Sequence, residues 1–230
     1  MRVAIVTVGD ELLVGDTVNT NAAWLGQRLD ERGVTVGRVT VLPDDVSDIA
    51  RVVNEYRAAS DAVVVTGGVG PTHDDVTMDG VAAAFGRDLV ESDEVAEWLA
   101  EEGGYSADDL AEGTTQIPEG ARMLPNTEGV APGCVIGGVY VLPGVPDEMK
   151  AMFDRVADEF EGQRHHTESV VTGEPESALL DRLAELRTRF DVTVGSYPGE
   201  NVRIKLTAAD EETLAAAADW LAERVEPPEG

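Results

Sequence analysis

The sequence predicts an α/β protein: a mostly parallel sheet with helices on both faces, followed by a small α+β domain. Three observations carry this. Runs such as Ala62-Val63-Val64-Val65 are apolar throughout, without the alternation of a strand that faces water on one side, so they predict strands buried on both faces. These runs alternate with segments of helical spacing, the pattern of βα units. Beyond the polar stretch Gly162 to Thr167 the order becomes strand, helix, strand, strand, helix, which cannot extend the same parallel sheet. The boundary is therefore set between a first domain, residues 1–164, and a small βαββα domain, residues 165–230.

Residues 2–8 form the first strand, too short an apolar run for a signal peptide or membrane span. Asn21 to Arg32 places Ala22, Ala23, Leu25 and Leu29 at helical spacing, and Gly33 closes the helix. Val34 to Val41 is the second strand. Pro43-Asp44-Asp45 opens a helix to about Ala59, with Ile49, Val52, Val53 and Tyr56 on one face. Ala62 to Thr66 is the third strand, and a short helix runs from Asp79 to Phe85 until Gly86. Asp93 to Glu102 is helical and broken by Gly103-Gly104. Ala121 to Leu124 and Val135 to Leu142 are strands, and Asp147 to Phe160 is a helix. In the small domain Glu168 to Thr172, Val192 to Tyr197 and Asn201 to Leu206 are strands, with helices at Glu176 to Phe190 and Glu211 to Val225.

Bulk composition narrows the function classes. A formal net charge of −28, from 45 acidic against 17 basic residues, is spread along the whole chain, and the lysines are only Lys150 and Lys205. No basic stripe exists for duplex or single-stranded nucleic acid. Dispersed acid with little lysine fits a halophilic, salt-adapted surface that stays hydrated in concentrated salt. One cysteine, Cys134, allows neither an internal disulfide nor a cysteine zinc site, so a reducing, cytoplasmic compartment is expected.

The chemistry is concentrated at strand ends. After the third strand comes Thr66-Gly67-Gly68-Val69-Gly70-Pro71-Thr72-His73-Asp74-Asp75-Val76-Thr77. Glycines let backbone N–H groups approach an anion, and the helix N-terminus that follows adds partial positive charge. Paired carboxylates repel a phosphate unless a hard cation sits between, so a nucleotide-like ligand handled with Mg²⁺ or another divalent metal is expected. Gly9-Asp10-Glu11 with Asn19 and Asn21, and Asp44-Asp45, follow the first and second strands. Helix capping competes with a site role for Asp10, for the asparagines and for Asp44-Asp45. Three acid-bearing clusters after three successive parallel strands lie on one sheet edge, where such sheets bind ligands. Pro125 to Gly133 is a glycine- and proline-rich loop of the kind that lines ligands. Leu142-Pro143-Gly144-Val145-Pro146-Asp147-Glu148 repeats the strand-to-helix anion logic, with Glu148 as a complement to the helix dipole. No lysine follows the glycines, so this is not a Walker loop. His73 divides evenly between a loop hydrogen bond and a ligand role. His165 and His166 are expected at the surface, and Cys134 as a buried thiol.

The segments TGGVGPTHDDVT (66–77), GDELLVGDTVNTN (9–21), PNTEGVAPG (125–133) and LPGVPDEM (142–149) together resemble the molybdopterin-binding-like family, and within it the N-terminal branch of the competence/damage-inducible protein CinA. GEPESAL (173–179) and VGSYPGENVRIKL (194–206) resemble the small second domain of the same branch. The resemblance covers nearly the whole chain. It implies a three-layer α/β/α domain that binds a nucleotide or pterin phosphate. It implies catalytic roles for Glu11, Asp44 and Asp75 and a divalent metal held by Asp44, Asp74 and Asp75. It further implies phosphate held by Gly67, Gly68 and Gly70 with Thr66, Pro71, Thr72, Thr77, Asn19 and Gly144. The branch is associated with hydrolysis of ADP-ribose-like pyrophosphates, with a divalent metal and K⁺, in dimers. The amidase domain that deamidates nicotinamide mononucleotide is not among these residues, so that activity is not expected of them.

The leading expectation is thus a metal-dependent nucleotide pyrophosphatase acting on a compound such as ADP-ribose. The alternatives are molybdenum-cofactor assembly, by adenylyl transfer to molybdopterin or metal insertion, and a non-catalytic nucleotide- or pterin-binding module. Fold alone does not choose among them.

Overall fold

The computed structural model describes residues 1–70, 72–101, 113–163 and 165–228. The chain divides into two compact units, residues 1–162 and 163–230. The first is built on a six-stranded sheet in the order β2-β1-β3-β8-β7-β6. β1 (Arg2–Val8), β2 (Thr35–Leu42), β3 (Ala62–Thr66) and β8 (Val139–Leu142) are parallel. β7 (Gly133–Ile136) runs antiparallel to both β8 and β6 (Arg122–Leu124).

The apolar runs are divided residue by residue between two cores, because successive strand side chains point to opposite faces. Ala4, Val6 and Val8 of β1 pack with Val63, Val65, Val139 and Val141 in one core. That core is covered by α3 (Val46–Ala59) through Ile49, Val52, Val53 and Tyr56, with α4 (Thr77–Phe85) and α5 (Asp93–Glu101) beside it. Val3 and Ile5 point the other way, with Val64, Tyr140 and Leu142, under α2 (Thr20–Glu31) and α6 (Pro146–Val156). Phe153 of α6 meets Trp24 of α2 edge to face at 5.6 Å and stacks on Phe160 at 5.3 Å. Leu25 and Leu29 are fully buried there, each worth about 1.5–3 kcal/mol of transfer free energy. The result is the three-layer α/β/α arrangement.

Three details differ from the sequence expectation. Val135 to Leu142 is not one strand but the second half of β7, a turn and β8. Gly137 and Gly138 have φ of 51° and 81°, the two positive values that a tight two-residue hairpin turn requires. The helix after Pro146 stops at Val156 and continues only as a 3₁₀ turn, Ala157–Glu159. A small antiparallel pair, β4 (Leu89–Glu91) with β5 (Gln116–Pro118), was not expected. The helix stop assigned to Glu102, Gly103 and Gly104 lies outside the described residues.

The second unit has a three-stranded antiparallel sheet, order β10-β11-β9, from β9 (His166–Thr172), β10 (Thr193–Tyr197) and β11 (Val202–Ala208). α7 (Glu176–Arg189) and α8 (Glu211–Ala222) supply Leu179, Leu183, Leu186, Leu214 and Leu221 to its own core with Val202, Ile204 and Leu206. None of its strands joins the six-stranded sheet. Glu174 is gripped by Arg182, whose Nη1 lies 2.7 Å from Oε1, and also accepts the Glu226 N–H at 2.8 Å. These donors, Arg182 first, hold its carboxyl down to about 2. Among the described residues no helix is long and apolar enough to cross a membrane.

Candidate functional site

The sheet order places the carboxyl ends of β2, β1 and β3 side by side: the chain passes from β1 to β2 on one side through α2, then crosses back past β1 through α3 to β3 on the other. A crevice opens at such a point. Here it is a cleft of about 520 Å³, lined from all three strand ends, the α2 entry and Gly144.

Its floor is a polar network. The buried hydroxyl of Thr7, at the end of β1, accepts from Asn19 Nδ2 at 2.9 Å. Asn19 also caps α2, its Oδ1 accepting the Ala22 N–H at 3.0 Å. Asn21 does not cap. Its Nδ2 donates to the Gly144 carbonyl at 2.7 Å and to Thr66 Oγ1 at 3.3 Å, and Thr66 Oγ1 donates to the Pro143 carbonyl. One asparagine thereby ties α2 to the end of β3 and to the β8–α6 turn. Its own Oδ1 is buried without a partner.

The glycine loop forms one wall. Gly67 has φ of 102°, and a Cβ there would lie 2.2 Å from the Val8 carbonyl oxygen. Gly68, at φ 60°, would place a Cβ 2.6 Å from Thr77 Oγ1 and 3.2 Å from Asp44 Oδ1. Backbone thus stands where side chains would otherwise fill the cleft. Thr77 is fully buried at the start of α4 and donates its N–H to the Gly68 carbonyl at 2.9 Å. Its hydroxyl is buried and has no partner.

Among the described residues that line the cleft the acids converge without a lysine or arginine. Asp45 is the cap of α3, accepting the Asp48 N–H at 2.9 Å. Asp44 is turned away to the cleft, where Oδ2 accepts the Asp10 N–H at 3.0 Å. Partial burial, then the charges of Asp10, Glu11 and Asp75, push the Asp44 carboxyl above its ordinary value, against the lowering effect of that N–H bond. Asp75 lies against Gly70, and its Oδ2 accepts both the N–H of Thr72, at 3.0 Å, and the Thr72 hydroxyl, at 2.6 Å. Asp74 pairs with His73 at 2.7 Å, and both of these exposed side chains line the cleft. Pro71 lies outside the described residues.

Asp44, Asp74 and Asp75, the expected metal set, all line the cleft. Among the described residues no three His, Cys, Asp or Glu side chains are grouped to hold a metal ion. The physical reason is local: the two adjacent aspartates take different neighbours, His73 for one and Thr72 for the other. The donors are hard oxygens, but they do not form a preassembled metal centre. Two contributors escaped the sequence expectation, Thr7 and the non-capping role of Asn21. The only signal was the spacing Asn-Thr-Asn at a helix start, where one cap suffices and the other amide is surplus.

The first unit is thus a three-layer α/β domain with a glycine loop and an acid-lined crevice beyond its parallel strands. The chain belongs to the family described as "Probable molybdopterin binding domain", whose model matches residues 4–161, and residues 164–228 match the middle domain of FAD synthase. Relatives include a protein of Archaeoglobus fulgidus, 39% identical over 94% of this chain and 95% of its own length. A CinA-like protein of Frankia casuarinae is 44% identical over 66% of this chain, which spans 38% of that protein. Among solved structures, the protein CinA from Thermoplasma acidophilum is 37% identical, with a TM-score of 0.64 over 69% of this chain and 97% of that one.

Proposed function

We propose that the first unit binds the diphosphate of a nucleotide-like ligand across the glycine loop and hydrolyses it, with ADP-ribose as the type substrate. The observation that carries this is the Asp44 carboxyl. It is pushed above its usual range first by partial burial and then by the charges of Asp10, Glu11 and Asp75, at the mouth of a loop that has no Cβ at Gly67 or Gly68. Gathered like charges destabilise a fold, so their presence at a ligand crevice supports a chemical role. Backbone N–H groups of the loop and the first turn of α4 bind phosphate oxygens, and the unpartnered Thr77 hydroxyl lies beside Gly68. Asp44 takes the proton of the attacking water, and Thr72 holds Asp75 in place against Gly70. Because the carboxylates do not gather three to one point, the divalent cation, Mg²⁺ by this account, enters with the diphosphate and offsets its repulsion from them.

The family description supports a second reading, in which the same cleft handles molybdopterin during cofactor assembly. One panel separates the two. ADP-ribose, FAD, NAD⁺ and molybdopterin with ATP are incubated with the protein in Mg²⁺ and in EDTA, and products are separated by chromatography. Conversion of ADP-ribose and water to AMP and ribose 5-phosphate, only with the metal, supports hydrolysis. Adenylylated molybdopterin supports the second reading.

A further inference from the structure

Two spaces meet at the glycine loop. Gly68, Asp75 and Gly144 line both the acid-lined cleft and a second cavity of about 370 Å³. The second cavity has a different lining. Val69, Val130, Ala131, Pro143 and Val145 give it apolar walls, and beyond the shared Asp75 its ionisable side chain is Glu148. Such walls pack against the faces of a flat ring, whereas they would leave the hydroxyls of a sugar unpaired.

The polar edge of this cavity is built to accept and not to donate. Glu148 occupies the third position of α6, from which a glutamate ordinarily reaches back to the helix N-cap. Here its Oε2 instead accepts from Asn126 Nδ2 at 2.7 Å. Asn126 is buried, and both of its N–H arms are spent, the other on the Ala131 carbonyl at 2.9 Å. Its Oδ1 accepts the Glu128 N–H at 3.2 Å, which fixes the amide in the loop. A Cβ on Gly129 would collide with the Glu148 carboxylate, so the loop closes over this group only because that residue is glycine. Among the described residues Glu148 has no basic partner. Its Oε1 is thus a charged acceptor in an apolar space, and the neighbouring amide has no N–H left to offer a ligand.

We propose that this cavity takes the base of the nucleotide ligand, and that Glu148 selects adenine by accepting a hydrogen bond from its 6-amino group. The proposal rests on the function proposed above, with phosphate along the glycine loop and ADP-ribose as the type substrate. An edge that only accepts sorts purines by the group on carbon 6. Adenine presents N–H donors there. Hypoxanthine and guanine present a carbonyl oxygen, which would face the carboxylate oxygen in a space poor in water, with repulsion and two acceptors left unpaired. Glu148 is therefore a specificity residue. It takes no part in moving the water or its proton.

Calorimetric titration of the full chain in Mg²⁺ tests this with AMP, IMP, GMP and inorganic pyrophosphate. AMP is expected to bind at least about tenfold more tightly than IMP and GMP, the scale of a hydrogen bond to a charged group. Glu148→Gln keeps the shape and the bond from Asn126, but turns an amide N–H toward the base. It is expected to invert the order, with IMP gaining and AMP losing, and to leave pyrophosphate affinity and melting temperature unchanged. A merely structural role would move all three nucleotides alike. Equal binding of AMP and IMP by the native chain overturns the proposal. So does tighter binding of GMP, and so does a preference for AMP that survives in Glu148→Gln. If pyrophosphate still binds in those cases, the phosphate site stands and the base site alone fails. If pyrophosphate does not bind to the native chain, the phosphate site fails and the base site with it.

Discussion

Asp44 in the first unit and Glu174 in the second are carboxylates given opposite treatment. Glu174 meets a guanidinium and a backbone N–H and is held down to about 2. Asp44 is partly desolvated among Asp10, Glu11 and Asp75 and is pushed up, with one N–H in compensation. The first arrangement stabilises a fold. The second destabilises one, and it stands at the ligand crevice. In a chain with 45 acids and 17 bases, cations are scarce, and where they are withheld marks where chemistry is expected.

The comparison is broken most severely by exchanging the effects of the two acid groups. Asp75→Asn in the cleft is expected to cut turnover by about 10²–10⁴-fold, the range for loss of a positioned catalytic group, with no fall in melting temperature. Glu174→Gln is expected to lower the melting temperature and leave turnover unchanged. Steady-state rates and thermal melts on both variants check this. A stability loss in Asp75→Asn equal to that in Glu174→Gln would erase the distinction.

Backbone and core variants come next. Gly67→Ala forces a Cβ to 2.2 Å from the Val8 carbonyl oxygen at positive φ, and about 1–3 kcal/mol of strain is expected together with loss of phosphate binding. Leu183→Ala in the second unit leaves a cavity worth about 2–5 kcal/mol and is expected to leave binding intact. Denaturant melts paired with pyrophosphate titration read both.

Acid sharpens the comparison, because its two effects have opposite sign. Glu174 has a depressed folded value, so its contribution is complete above about 4.5 and is lost as pH falls from there toward about 2. Asp44 has a raised folded value, so its ionisation costs stability above that value, and the cost is relieved as pH falls through it toward the ordinary 3.8. Stability against pH for Asp44→Asn is therefore expected to exceed that of the native chain at neutrality and to converge with it in acid. For Glu174→Gln, stability is expected to lie below the native chain at neutrality and to converge as well. Removing Asp44 should also flatten the acid limb of the activity profile.

The smallest effect is expected at the neighbour of Asp44. Asp45→Asn keeps a good cap and should change stability by a few tenths of a kcal/mol, whereas Asp45→Ala should cost about 1 kcal/mol. Both should keep full activity, as measured by the same melts and rates.

The layers and the crevice were legible because they follow from local rules. Val63, Val64 and Val65 are apolar in sequence and are divided between two cores in space. Three acid-bearing strand ends were assigned to one edge, and β2, β1 and β3 are neighbours there. The hairpin at Gly137-Gly138 is readable in principle, since a Gly-Gly pair between apolar runs is a turn signal, although the sequence reading runs one strand from Val135 to Leu142 through it. The directions of adjacent side chains were not readable. Asp44 and Asp45 are equivalent in sequence, yet one caps a helix and the other enters the cleft. Asp74 and Asp75 part in the same way, because His73 and Thr72 each take one. Glu148 reads in sequence as a complement to a helix dipole, whereas its partner, Asn126, lies 22 residues away in the chain.

Chemistry on a diphosphate in the acid-lined cleft is read out by one side-by-side measurement. Native protein and Asp44→Asn are incubated with ADP-ribose and Mg²⁺, and the phosphorus resonances of substrate and products are followed with time. The native chain is expected to release AMP and ribose 5-phosphate, and Asp44→Asn to do so at least about 10²-fold more slowly while melting no lower. Equal rates in the two proteins, or no turnover of ADP-ribose by the native chain, would contradict it.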